Sequence, residues 1–232
     1  RSTFVVSSMT ILSRITGLVR DVGFSRWFGA GPLMDAFFVA FKIPNLFRRF
    51  FAEGAFSAAF VPVLSEYKKN ENSEITKELI DRVTGTLGLI LFFVTTIGVI
   101  SAPILVYAFA PGFVGGDGRY ELSRDMLRLT FPYLFFISLT ALSGAILNSY
   151  RNFSVPAFTP VLLNLVLIFF AGWIAPCSEN PGLILATGVF IAGLVQLLFQ
   201  LPFLLHLKLL PRPRWGWAYP GVKKILKLMA PV

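Results

Sequence analysis

Reactive side chains are scarce in this chain. Its 232 residues include one cysteine, Cys177, and one histidine, His206. A lone cysteine excludes an intrachain disulfide and a cysteine-based metal cluster. No Ser-His-Asp set, metal-ligand cluster or nucleotide motif can be traced, so an enzyme reading has little support and no cofactor or metal is expected. The run Gly115-Gly116-Asp117-Gly118 lacks the Lys-Ser/Thr that completes a phosphate-binding loop and reads as a turn. Charge is scarce too, at 14% of residues, against about 25% in an ordinary soluble domain. What fills the space is apolar: 55% hydrophobic residues, 25 phenylalanines and a mean hydropathy of +0.71. A soluble core of this size could not hide so much apolar surface.

Uncharged runs cover 83–116, 129–150, 152–178 and 180–207. Each exceeds the ~20 residues that cross a bilayer as a helix. The pattern predicts an all-α polytopic membrane bundle with six crossings, over 3–28, 33–66, 80–109, 122–150, 156–174 and 183–207. Pro44 falls inside the second and predicts a kink, because proline removes a backbone donor. Residues 211–232 read as a basic linker and the start of a seventh helix. Within it, Lys223, Lys224 and Lys227 alternate with Val222, Ile225, Leu226 and Leu228. That segment fits either an amphipathic stretch on an anionic leaflet or the flank of the next crossing. No secretory signal is visible, since Arg14 and Arg20 interrupt the first apolar stretch. The chain opens on Arg1 and stops as a helix begins, which predicts a piece of a longer protein.

The net charge of +9 would suggest nucleic acid in a soluble protein. Here topology explains it, and no nucleic-acid partner is expected. Lys68, Lys69, Lys77, Arg82, Arg151, Lys208, Arg212, Arg214, Lys223, Lys224 and Lys227 flank the even-numbered crossings. Only Arg26, Arg119, Arg124 and Arg128 lie on the other side. The positive-inside rule then puts the amino terminus in the cytoplasm.

Against this background the first two helices stand out. They carry Arg14, Arg20, Asp21, Arg26, Asp35, Lys42, Arg48, Arg49 and Glu53. An ionised side chain at the bilayer centre costs roughly 2.5–3.5 kcal/mol on insertion scales. At 100° per residue, Thr10, Arg14, Gly17 and Asp21 share one face of the first helix, with Arg20 off it. Asp35, Lys42, Arg49 and Glu53 share a face of the second, with Arg48 off it. Gly17 leaves a notch for a neighbouring backbone or a ligand, and Arg49 and Glu53 are spaced to pair. Three arrangements fit: snorkelling of Arg20, Asp21, Arg26 and Arg49 to an interface, structural pairing of Arg14 with Asp35, or a hydrated cavity with excess positive charge. Guanidinium groups suit the last, because they bind phosphate bidentately and stay charged when desolvated. The chemistry predicts a membrane protein that handles a polar, anionic cargo.

These same blocks resemble a known family. Residues Ser13-Arg14-Ile15-Thr16-Gly17-Leu18-Val19-Arg20-Asp21 are similar to the first-helix signature of the MurJ (MviN) lipid II flippases. The stretch from Asp35 through Lys42-Ile43-Pro44-Asn45-Leu46-Phe47-Arg48-Arg49 to Glu53 and Pro62 resembles their second helix. Ala110-Pro111-Gly112-Phe113, Gly144-Ala145-Ile146-Leu147-Asn148 and Pro156-Ala157-Phe158-Thr159-Pro160 extend the likeness along the chain. The resemblance implies the first lobe of a two-lobed transporter of the multidrug/oligosaccharidyl-lipid/polysaccharide (MOP) superfamily, in the bacterial cytoplasmic (inner) membrane. It implies lipid II as cargo, membrane lipids as surroundings and cell-wall synthesis proteins as partners. Arg14, Arg20, Arg48 and Asn45 would hold the pyrophosphate and its neighbours. Gly17, Asp21, Asp35, Lys42, Arg49 and Glu53 would line the cavity or gate it. An exporter of another lipid-linked saccharide or a drug, or a non-transporting scaffold half, are the alternatives.

Overall fold

Proline and glycine set most of the helix ends in the computed structural model, which describes residues 2–49, 55–69, 73–115 and 117–229. Every regular element among these residues is a helix. Helix α1 (Ser2–Phe28) stops at Gly29, whose φ of +65° suits a residue without a side chain. Pro32 sits in the first turn of α2 (Pro32–Arg48), where its missing N–H costs nothing. There follow α3 (Ala55–Lys69), α4 (Ser73–Ile100), α5 (Ala102–Phe109), α6 (Arg119–Thr130) and α7 (Tyr133–Ser149). Next, α8 (Ser154–Phe169) continues through a π turn (Phe170–Ile174) and a 3-10 turn (Ala175–Cys177). Last come α9 (Pro181–His206) and α10 (Pro220–Met229).

Several boundaries differ from those expected. Within 33–66 the described helices are α2 and α3, and residues 50–54, with the candidate Glu53, lie outside the described residues. Helix α2 runs on through Pro44. The run expected over 80–109 begins seven residues earlier and turns at Ser101, two residues before Pro103. The run over 122–150 breaks at Phe131-Pro132 into α6 and α7. A proline has no N–H to give to the preceding turn, which accounts for both breaks. Four spans are long and apolar enough to cross a membrane: Ser73–Ile100, Arg119–Ser149, Ser154–Cys177 and Pro181–His206. Helix α2 is only 17 residues long and carries Asp35, Lys42 and Arg48, and α1 carries Arg14, Arg20, Asp21 and Arg26; neither is in the set.

Two apolar cores stack along the bundle. The first joins Phe24, Met34, Phe37, Ile43, Phe131, Tyr133 and Leu185. The second joins Phe60, Leu64, Leu79, Ile80, Ile146, Leu204, Val222 and Ile225. Helix α9 packs on α7, α8, α6 and α2, and α1 leans chiefly on α8. Single polar stitches tie the layers, as where Thr130 Oγ1 donates to the Ala40 carbonyl at 2.8 Å.

The connector after α9 is pinned lengthwise to α4. Buried Asp81 accepts the Arg212 N–H on its carboxylate (2.7 Å) and the Arg214 N–H on its carbonyl (3.0 Å). Arg82 donates to the Trp215 carbonyl (2.7 Å), and Thr86 Oγ1 accepts the Gly216 N–H (3.2 Å). Beyond it, α10 presses Val222 and Ile225 against α3 and α4, and Lys224 pairs with Glu66. Its apolar side is therefore used within the protein.

Gly85 is what lets the connector lie so close, since a Cβ there would sit 2.2 Å from the Arg214 carbonyl oxygen. Gly85→Ala is expected to cost about 1–3 kcal/mol through overpacking, read as a lower melting temperature in detergent. Gly88→Ala, which meets nothing within 4 Å, is expected to leave melting unchanged or raise it.

Candidate functional site

One buried amide organises the charged end of the bundle. Asn164 lies in an all-apolar stretch of α8 and is 6% exposed. Its Nδ2 donates to the Ser13 carbonyl (3.1 Å) and to Thr16 Oγ1 (3.2 Å), and its Oδ1 accepts from Arg20 Nη1 (2.9 Å). Ser13, Thr16 and Arg20 sit one turn apart on α1, so a single side chain reads two turns of that helix. Gly17 faces the same amide, with Asn164 Nδ2 3.5 Å from where its Cβ would be. The notch expected at Gly17 is thus filled by α8. Arg20 also donates from Nε (2.9 Å) and Nη2 (2.7 Å) to Asp21 Oδ1, and its guanidinium lies 5.9 Å from the Phe24 ring centre. Asp21 itself points outward, at 58% side-chain exposure.

On α2, Arg48 Nε donates to Asn45 Oδ1 one turn earlier, at 2.8 Å. Arg20, Asn45 and Arg48 line an open cavity of about 850 Å³ walled by α1, α2, α3, α7, α8 and α9. Its other polar lining comes from Ser57, Ser65, Thr140, Asn148, Ser149, Thr159, Gln196 and Gln200. Among the described residues no carboxylate lines it, so its fixed charge is positive. Gln196 Nε2 donates to the Thr159 carbonyl (3.0 Å) and Gln200 Nε2 to Thr159 Oγ1 (2.9 Å). The Oε1 atoms of both glutamines are buried and have no donor among the described residues. Leaving such an acceptor unpaired costs about 1–3 kcal/mol.

The remaining expected residues sort onto other surfaces. Arg14 is exposed, off the cavity lining, with no polar partner among the described residues. Lys42 and Arg49 line a smaller cleft of about 250 Å³ with Val39, Leu46 and Phe109, and Asn45 borders both spaces. Asp35, in the first turn of α2, pairs with Arg119 at 3.3 Å, not with Arg14. Arg119 also pairs with Asp117 and lies over the Phe113 ring at 4.7 Å. The Asp117 carboxyl is held below its ordinary value, first by the Arg119 backbone N–H and then by the Arg119 guanidinium.

Helical phase therefore separates the charges. The two arginines off the shared faces, Arg20 and Arg48, meet in the large cavity, while the shared faces point elsewhere. Asn164, Gln196, Gln200 and Thr159 escaped sequence reasoning. Their only signal was a polar residue alone in an apolar run, with Gln196 and Gln200 four apart.

Comparison with known proteins followed the same lines. The family described as "Lipid II flippase MurJ" matches residues 24–232. A Vibrio cholerae protein named probable lipid II flippase MurJ is 50% identical over 238 residues, covering 100% of this chain and 45% of that protein. The chain thus spans about half the length of the curated relatives it matches. Among solved structures, "Lipid II flippase MurJ, inward closed conformation" superposes with a TM-score of 0.77 at 28% identity, over 98% of this chain and 46% of that one. An outward-facing multidrug resistance MATE transporter of the MOP superfamily shares the fold alone, with a TM-score of 0.70 at 13% identity, over 100% and 51%.

Asn164→Ala removes the amide that holds α1. It is expected to cost about 1–3 kcal/mol, because Thr16 Oγ1 and the Ser13 carbonyl each lose a donor from α8 and Arg20 loses one of its two acceptors. Thermal unfolding in detergent measures this, and Leu165→Ala on the exposed side of α8 serves as the neutral reference.

Proposed function

Because the chain belongs to the MurJ lipid II flippase family, we propose that it forms the first lobe of a transporter moving lipid II across the bacterial cytoplasmic membrane. In this reading the lobe crosses the bilayer six times, with its amino terminus in the cytoplasm. The reading draws on one observation above all: two arginines on a cavity with no carboxylate in its described lining. Lipid II pairs a pyrophosphate and a sugar-peptide head with an isoprenoid tail. The head cannot enter hydrocarbon unaided, whereas the tail need not leave it. A cavity walled by protein and open toward the membrane serves both.

Arg20 and Arg48 offer planar donor forks to the pyrophosphate oxygens, at a site where low dielectric strengthens each charge-assisted bond. Before cargo arrives, Asp21 and the amides of Asn164 and Asn45 hold those guanidinium groups in place. Cargo phosphate would then compete with Asp21 and with the Asn164 amide for Arg20, and the second competition couples binding to the fit of α1 on α8. Arg14, Lys42 and Arg49 face away from this cavity and would meet the head once a second lobe closes on α1 and α2. Asp35, tied to Arg119, would steady the far end of α2 during that closure. Rocking of one lobe against the other would move the site between leaflets. Lipid II, bilayer lipids and the cell-wall synthesis proteins that use the flipped precursor would be its partners. No ATP motif is present, so an ion gradient or the membrane potential would supply the drive.

Arg20→Ala and Arg48→Ala in the intact protein are expected to weaken lipid II binding about 10–100-fold each, since a hydrogen bond to a charged group contributes about 1.5–3 kcal/mol. Neither variant should then support growth of cells depleted of their own flippase, although membrane blots show normal insertion. Normal growth with both variants would refute the assignment.

A further inference from the structure

The cavity is larger than a diphosphate needs. Its volume of about 850 Å³ lies in the range of about 300–1,000 Å³ that encloses a whole small molecule. Away from the arginines its polar lining is uncharged and comes from α3, α7, α8 and α9. Gln196 and Gln200 are four apart on α9 and so share a face. Both are at least 98% buried, at 2% and 1% exposure.

What this wall offers is specific. Gln196 spends an N–H on the Thr159 carbonyl, Gln200 spends one on Thr159 Oγ1, and that hydroxyl donates onward to the Val155 carbonyl at 3.1 Å. One N–H of each amide is thus held within the protein, and the two amide oxygens are left without a partner among the described residues. Unpaired oxygens attract groups that donate, namely hydroxyls and amide N–H groups. They repel phosphate, which at neutral pH chiefly accepts. Gly144 keeps the neighbouring wall thin, with Gln200 Nε2 only 3.8 Å from where its Cβ would be. Thr140 and Asn148 of α7 add neutral polar groups to the same lining.

We propose that Gln196 and Gln200, braced by Thr159, form a second subsite that holds the uncharged, hydroxyl- and amide-bearing part of the cargo head. This rests on the reading above, in which the arginines take the phosphates. The cavity is thereby divided by chemistry: a cationic wall on α1 and α2 for the anion, and an acceptor wall on α9 for the saccharide. A lipid-linked phosphate without a sugar fills only the first. The glutamine wall is then what distinguishes a loaded carrier lipid from a spent one.

The test uses the full-length protein and two probes, lipid II and undecaprenyl pyrophosphate, which has the same anion and tail without the sugar. Gln196→Met/Gln200→Met conserves volume and removes both acceptors. It is expected to weaken lipid II binding about tenfold or more, equivalent to about 1.4 kcal/mol, with undecaprenyl pyrophosphate changed less than twofold. Should the double variant not fold, the single variants Gln196→Met and Gln200→Met read the same contrast at about threefold each. Equal loss for both probes, or no loss for lipid II, overturns the subsite and leaves the oxygens to water. Arg48→Ala should weaken both probes. If it weakens neither while the glutamine variants still discriminate, the arginine reading fails and the acceptor wall stands.

Discussion

The position of α1 depends on one amide buried in an apolar helix. Asn164 is the only polar side chain of its stretch of α8, and it is buried. Its three hydrogen bonds to Ser13, Thr16 and Arg20 are therefore strongly directional demands. They set both the height and the rotation of α1. Rotation decides which charges enter the cavity: with Arg20 on the amide, Arg14 must face outward. Much of the rest of α1 is exposed apolar surface, including Ile11, Ile15, Leu18, Val19 and Val22. Packing on α8 and the buried Phe24 hold this helix against the bundle, and the polar contacts fix its register.

The same economy shapes the cavity. Two apolar cores give the bundle its bulk, and the space takes its lining from both, with Tyr133 and Ile137 from one and Ala145 from the other. Polar groups at that junction are divided by helix. Those of α1 and α2 donate and carry charge, whereas the glutamines of α9 present oxygen. Asn45 borders both the large cavity and the smaller cleft beside Lys42 and Arg49. A single turn of α2 thus separates two cationic surfaces that a linear reading merges.

Much of the architecture was legible because hydrocarbon demands it. Long uncharged runs mark the later helices, and the charges of the first sixty residues mark the region where a cavity is needed. Charge by itself did not show orientation. A wheel grouped Arg14 with Asp21 and Lys42 with Arg49, yet the residues that reach the cavity are those outside the groups. Direction was set by α8, through an asparagine that hydropathy averages away. The pairing of Asp35 likewise went to Arg119, which lies 84 residues on and which no local rule connects to it. Helix ends were misjudged where amphipathic turns extend an apolar run, as at Ser73, or where Pro103 and Pro132 interrupt one.

The stretch between α9 and α10 looks from its composition like a loose tether, with two prolines, two tryptophans and scattered bases. Its backbone is instead bonded at Arg212, Arg214, Trp215 and Gly216 to consecutive turns of α4. Slack has been taken out of it. A strut of this kind passes a tilt of the bundle straight on to α10, with no lost travel. It follows that the pivot for large rigid-body movement does not lie in the connector, and that α10 travels as the trailing arm of the lobe.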